Sequence, residues 1–198
     1  GYGSNPLLNR KSGTMRMAAE TEEMYRHRFL NFQDRGAKYT FIPDEGELLV
    51  ICPPDYLDAM QPFVEWKNAS GRPTLLANLA DIGNTPDLVK SFILSHYNNP
   101  DENLCYVLLV GDYADLTPKS MNGGASDIWF GQLEGNDYYP EVLVGRFSAE
   151  TVADVEHQVF KTVYYERDIT ADAQWLDKGV GIGSSEGAGS GHNGGESD

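Results

Sequence analysis

The run LCYVLLVGD, Leu104 to Asp112, constrains this chain more than any other stretch. A strand exposed on one face alternates apolar and polar residues, whereas Leu104 to Val110 is apolar without interruption. A run of that kind fits a strand covered on both faces, the situation of a parallel sheet. The flanking sequence fits the same idea. ELLVIC, 47–52, reads as a short buried strand, and PPDYLDAMQPFVEWKNASG, 53–71, as a helix with Pro and Asp at its start and Gly at its end. PTLLAN, 73–78, is a further strand. TPDLVKSFILSHYNNP, 85–100, is a helix with Thr85 as N-cap and Pro86 in its first turn. After a glycine-rich loop, strands are expected near DIWFGQL, 127–133, and at EVLVGRF, 141–147. A helix follows from about Ser148 to Arg167, with Val152, Val155, Val159 and Val163 on one face, and then a last strand near KGVGIG, 178–183. Strand and helix in alternation specify an α/β fold, a mostly parallel sheet sandwiched by helices.

The ends read differently. Residues 1–14 carry Gly, Ser, Asn, Lys and Arg without periodicity and are expected to form an arm. Met17, Met24, Tyr25, Phe29 and Phe32 fall near helical spacing and predict an amphipathic helix, ended by Gly36. Residues 1–38 are therefore read as arm plus helix, and 39–198 as the main domain. The GYGSNPLLNRK start is compatible with a processed end.

Charge narrows the partners. Fifteen Lys and Arg stand against thirty Asp and Glu, a formal charge of -15. Nucleic acid and anionic membranes are poor partners for such a surface, and cations, Ca²⁺ above all, are good ones. No apolar run approaches the roughly 20 residues that span a bilayer. Cys52 and Cys105 both lie in apolar strand-like runs and read as core thiols, not as nucleophiles or a disulfide.

Three chemistry-bearing segments follow strand ends, where functional residues gather in open α/β sheets. Asp112 closes VGD; Asp137 and Glu141 bracket two tyrosines in EGNDYYPE; Glu186 and Asp198 lie in SSEGAGSGHNGGESD. Hard oxygen donors on a tight turn suit Ca²⁺, but acids that cap turns and face solvent have the same spacing, so both readings stay open. GSGHNG, 189–194, matches a dinucleotide fingerprint only formally, because that fingerprint requires a following helix. His192 reads as a surface residue, and Asp127 in GGASDIW as a turn or cap residue.

The strings FVEWKNASGRP, YVLLVGDYADL, GQLEGNDYYPEVLVGRFSAET, VYYERDIT and GESD together resemble the gingipain family of cysteine peptidases, caspase-like in fold, and its arginine-specific branch most. The resemblance spans about residues 39–198 and corresponds to the N-terminal half of the family's catalytic domain. It implies that Asp112, Asp137, Glu141 and the carbonyl of Tyr139 fall on a calcium site, with the Glu134 carbonyl a weaker candidate. It implies that Glu186 orients the catalytic histidine, and that Asp198 is the floor of the pocket for a substrate arginine. The family's catalytic His and Cys motifs are not found in the sequence, so a partner chain or further sequence is expected to carry them, with this chain inactive alone. The expected protein is a secreted or cell-surface, two-chain cysteine endopeptidase that cleaves after arginine. Two other classes stay open: a noncatalytic calcium-binding α/β adhesion module, and a gingipain-like transpeptidase acting on secreted substrates.

Overall fold

The computed structural model describes residues 15–28, 39–42, 46–121, 123–135 and 139–180. They fall into two compact units, one ending at Val163 and one beginning at Tyr164.

The first unit is built on a four-stranded sheet. Its strands are β3 (Glu47–Cys52), β4 (Thr74–Asn78), β5 (Leu104–Val110) and β8 (Leu143–Phe147). They follow a short pair, β1 (Met15–Ala18) and β2 (Tyr39–Ile42), which run parallel with Met15 opposite Tyr39. A small antiparallel pair, β6 (Lys119–Met121) and β7 (Gly124–Ser126), precedes β8. The four-stranded sheet has the order β4-β3-β5-β8, and every neighbouring pair in it is parallel. The mostly parallel α/β fold expected from the sequence is therefore the fold observed.

Alternation along the central strands feeds two cores. From β3, Leu48, Val50 and Cys52 point to one face, together with Leu108 and Val110 of β5. That face is covered by α2 (Leu57–Ala69), through Met60 and Phe63, and by α5 (Val152–Val163), through Val155, Val159 and Val163. Leu49 and Ile51 point to the other face with Val107 and Leu109. There they meet Leu79 of α3 (Leu79–Ile82) and Val89 and Ile93 of α4 (Pro86–Tyr97). Two-sided burial is why β3 and β5 read as unbroken apolar runs. Thr85 caps α4 as expected, its Oγ1 accepting from Leu88 N at 3.4 Å with Pro86 at the first position.

Several local expectations are corrected. The stretch near DIWFGQL is a 3-10 turn, Ile128–Gly131, not a strand. Phe130 N donates to Asp127 O at 3.0 Å, and Gly131 lies so close to the next segment that a Cβ there would sit 2.4 Å from the Val142 carbonyl. Only a turn with glycine at its end allows that approach. The helix after β8 stops at Val163, and Val152 is 43% exposed, so its buried stripe is Val155, Val159 and Val163. The predicted N-terminal helix begins at Ala19, not Met17, which lies in β1; its described part is α1 (Ala19–Arg28), and Met24 on it is exposed. Phe29 and Phe32 lie outside the described residues.

The second unit opens with a π-helical turn, Tyr164–Asp168. Arg167 there forms a two-pronged ion pair with Asp168, 2.7 Å for each hydrogen bond, and the Tyr165 and Trp175 rings stand 5.8 Å apart. Lys178–Val180 carry no strand, and the remainder of the predicted last strand lies outside the described residues.

Candidate functional site

In the order β4-β3-β5-β8, the chain leaves β3 toward one side for β4 and returns to its other side for β5. The crevice beyond the carboxyl ends of β3 and β5 is therefore the topological switch point, the usual ligand position in open α/β sheets. Its two banks are the PPDY turn after β3 and the loop 111–118 after β5.

The loop is built from its first two residues. Gly111 has φ +99, where L side chains are strained, and a Cβ there would lie 2.6 Å from the Asp115 Cβ. Its N–H donates to Phe147 O at 2.9 Å, which ties the loop's entry to the end of β8. Asp112 then folds the chain on itself. Its Oδ1 accepts from Ala114 N at 2.8 Å and Asp115 N at 3.3 Å, and its carbonyl accepts from Leu116 N at 3.1 Å. The Asp112 side chain that the sequence singled out is thus an Asx-turn residue at the crevice.

Three side chains from outside the loop hold it. Tyr56, nearly buried, donates from Oη to Asp115 Oδ2 at 3.1 Å across the crevice. Burial, and after it the hydrogen bond to Asp115, push the Tyr56 phenol up to about 12, so it stays a neutral donor at physiological pH. Asn84 donates from Nδ2 to Asp115 O at 2.8 Å and accepts from Thr117 N at 3.2 Å. Arg146 does most. Its Nη1 donates to the carbonyls of Gly111, Asp112 and Leu116 at 2.9, 3.1 and 3.1 Å, while Nε and Nη2 each donate to Asp127 at 2.7 Å. Sequence reading took Asp127 as a turn or cap residue; its side chain makes no cap hydrogen bond and instead forms this forked ion pair.

The remaining predicted residues divide. Glu141 Oε2 accepts from Leu133 N at 2.6 Å and Glu134 N at 2.8 Å, closing the loop before β8, and Tyr139 is exposed. Those residues precede Leu143, which is in register with Tyr106, whereas Asp112 follows Val110, which is in register with Phe147. The four residues of register alone amount to about 13 Å along the strands. Asp112 thus lies beyond the carboxyl end of β5, whereas Tyr139 and Glu141 lie on the segment that leads into the amino end of β8. Among the described residues, no group of three or more His, Cys, Asp or Glu side chains is placed to hold a metal. Asp137, Glu186 and Asp198 lie outside the described residues.

The cysteines are where the sequence placed them. Cys52 is fully buried, its thiol donates to Pro53 O at 3.4 Å, and burial pushes its pKa up to about 12. Cys105 sits in β5, 3.8 Å from Asn103 Oδ1. Cys52 therefore lacks the open setting of a nucleophile. Iodoacetamide is expected to leave Cys52 unmodified in the native protein at pH 8 and to modify it once urea unfolds the chain, as peptide mass mapping would register. Native-state labelling at Cys52 would contradict the burial.

His96 forms a close pair with Glu102, Nδ1 to Oε2 2.6 Å, but it does so where α4 leads into β5. That is the amino end of the strand, opposite the crevice.

A family model described as peptidase family C25 matches residues 42–198. The chain belongs to peptidase family C25. It is 38% identical over 181 residues to Gingipain R2 of Porphyromonas gingivalis, covering 89% of this chain and 24% of that protein. It is also 38% identical over 196 residues to Gingipain R1 of Porphyromonas gingivalis, covering 97% and 19%. The chain thus spans about a quarter or less of the length of these relatives. Among solved structures it is similar to the Arg-specific cysteine proteinase gingipain R (RgpB), with a TM-score of 0.67 and 39% identity, covering 75% of this chain and 35% of that one. In this C25 chain the crevice at the switch point, banked by Tyr56 and the loop 111–118, is the candidate functional edge.

Proposed function

We propose that this chain is the N-terminal portion of the catalytic domain of a secreted or cell-surface cysteine endopeptidase that cleaves after arginine. The observation that carries the reading is the 38% identity to gingipain R over nearly the whole chain. Cleavage requires a thiolate and an imidazole. With Cys52 and Cys105 in strands, the thiolate comes from a partner chain or from further sequence, and the resemblance assigns the catalytic imidazole to the same place. The thiolate attacks the carbonyl carbon of the substrate arginine, the bond to the next residue's nitrogen breaks as the imidazolium protonates that leaving amine, and water then hydrolyses the acyl-enzyme. Glu186 holds the imidazole in position and stabilises its charged form. Asp198 accepts two parallel hydrogen bonds from the substrate guanidinium, a geometry that lysine does not reproduce.

Calcium fits the loop before β8 by the chemistry of its donors: the Glu141 carboxylate, the Tyr139 carbonyl and the Asp137 carboxylate are hard oxygens. Bound there, the ion would supply a fixed positive charge that gathers these oxygens. The resemblance adds the Asp112 carboxylate to the same set of hard donors.

The reading is tested on the purified native assembly with peptides that differ only in Arg, Lys or Asp before the scissile bond, with and without calcium chelation. The expected result is preferential cleavage after Arg, weakened by chelation. No cleavage of any peptide by an assembly whose intact mass includes a His- and Cys-bearing chain would sink it.

A further inference from the structure

We infer that Arg146, locked on Asp127, is a positioning residue for substrate binding, acting through the loop Gly111–Leu116. The inference rests on the peptidase reading above. Arg146 lies on β8 in register with Leu109, one strand away from the crevice, so it does not itself line the bank at which a substrate would lie. It reaches that bank indirectly. One guanidinium nitrogen gathers three carbonyls of the loop, those of Gly111, Asp112 and Leu116, and the other two are fixed by the Asp127 carboxylate. The Arg146 side chain is 13% exposed and that of Asp127 is 31% exposed, so the pair is largely shielded from water.

The arrangement does more than close a turn. Asp112 already closes the turn with its own side chain, and Asn84 brackets the far end of the loop. The Gly111 N–H bond to Phe147 O ties only the loop's entry to β8; what Arg146 adds is a rigid planar fork that ties the far end as well, through Leu116 O, and fixes both ends at one distance from the strand. The bond from Tyr56 to Asp115 then carries that setting across the crevice to the turn after β3. Lysine keeps the charge but is a point donor, and it lacks the fork needed to hold Asp127 and three carbonyls at once. A loop displaced by about 1 Å at a binding edge costs much in substrate alignment while leaving the fold in place.

The test is Arg146→Lys in the complete peptidase, with Asp127→Asn as a second variant that keeps the size of the anchor. Steady-state kinetics on an arginyl peptide, normalised to titrated active sites, is paired with hydrogen exchange at the amides of Ala114, Asp115 and Leu116. The expected outcome for Arg146→Lys is a KM raised about tenfold with kcat per active site changed less than about twofold. Exchange at Ala114 and Asp115 would speed up, while the β3 amides of Val50 and Ile51 would not change. Asp127→Asn would shift KM in the same direction. A lower melting temperature or active fraction with unchanged KM would assign Arg146 a structural role only and overturn the inference while leaving the peptidase reading intact. An active-site-competent wild type that cleaves no arginyl peptide would overturn both.

Discussion

On the proposed reading of Asp198 as the floor of the arginine pocket, replacing it with Ala in the complete peptidase is expected to lower kcat/KM for arginyl peptides by about thirtyfold to several thousandfold, because removing one partner of a buried charge pair costs about 2–5 kcal/mol. The loss has two parts. The substrate guanidinium loses its forked acceptor, and it remains desolvated in a pocket with no compensating charge. Peptides with an uncharged residue before the scissile bond should lose far less, since they never formed the pair. The informative measurement is therefore the ratio of kcat/KM between arginyl and uncharged peptides, for wild type and Asp198→Ala side by side. A ratio that collapses toward one supports the role assigned to Asp198. An unchanged ratio would move specificity to another residue.

The second large effect concerns stability. Phe130→Ala is expected to cost about 3–5 kcal/mol, the range for truncating a buried aromatic ring. Phe130 is fully buried in the core that faces α3 and α4, among Leu109, Leu116 and Val142, and its ring meets Trp129 edge-on with centroids 5.6 Å apart. Its backbone is held by the turn from Asp127 and by the close approach of Gly131 to Val142, so the surroundings have little freedom to collapse into the space. Urea unfolding of this chain, followed by tryptophan fluorescence, measures the change in midpoint. A shift equivalent to less than about 1 kcal/mol would mean that the turn relaxes and that Phe130 is not the anchor of that core.

Much of this architecture was legible because burial on two faces leaves a simple mark. ELLVIC and LCYVLLV carry no polar residue that needs water beyond Glu47 at one end, and both are strands where they were read. The cap at Thr85 was equally visible, since Ser, Thr or Asp followed by Pro has a local mechanism. DIWFGQL was misread because its aromatic residues have strand propensity, whereas what decides its shape is a backbone approach to Val142 made elsewhere in the chain. β6 and β7 escaped because KSM and GAS are three residues each and show no alternation.

The candidate site was legible in its residue types more than in its geometry. Asp112 was singled out as a residue beyond a strand end, where it stands, but spacing does not report strand register, so the sequence could not say that Tyr139 and Glu141 lead into the amino end of β8. Arg146 and Asp127 are 19 residues apart and belong to different elements, so no local pattern links them. Tyr56 was hidden inside a helix start, where its apolar ring satisfied the helical pattern and its hydroxyl went unread.

The order of the sheet also bears on how the chain is made. β3 emerges first and pairs with β4, but its other neighbour, β5, ends roughly 60 residues later, about 3–12 s at a synthesis rate of 5–20 residues per second. For that interval one side of a strand that is apolar from Leu48 to Cys52 is an open edge. A nascent chain in a crowded expression host is then most exposed to pairing with another copy of itself, and slower synthesis across α4 lengthens that window.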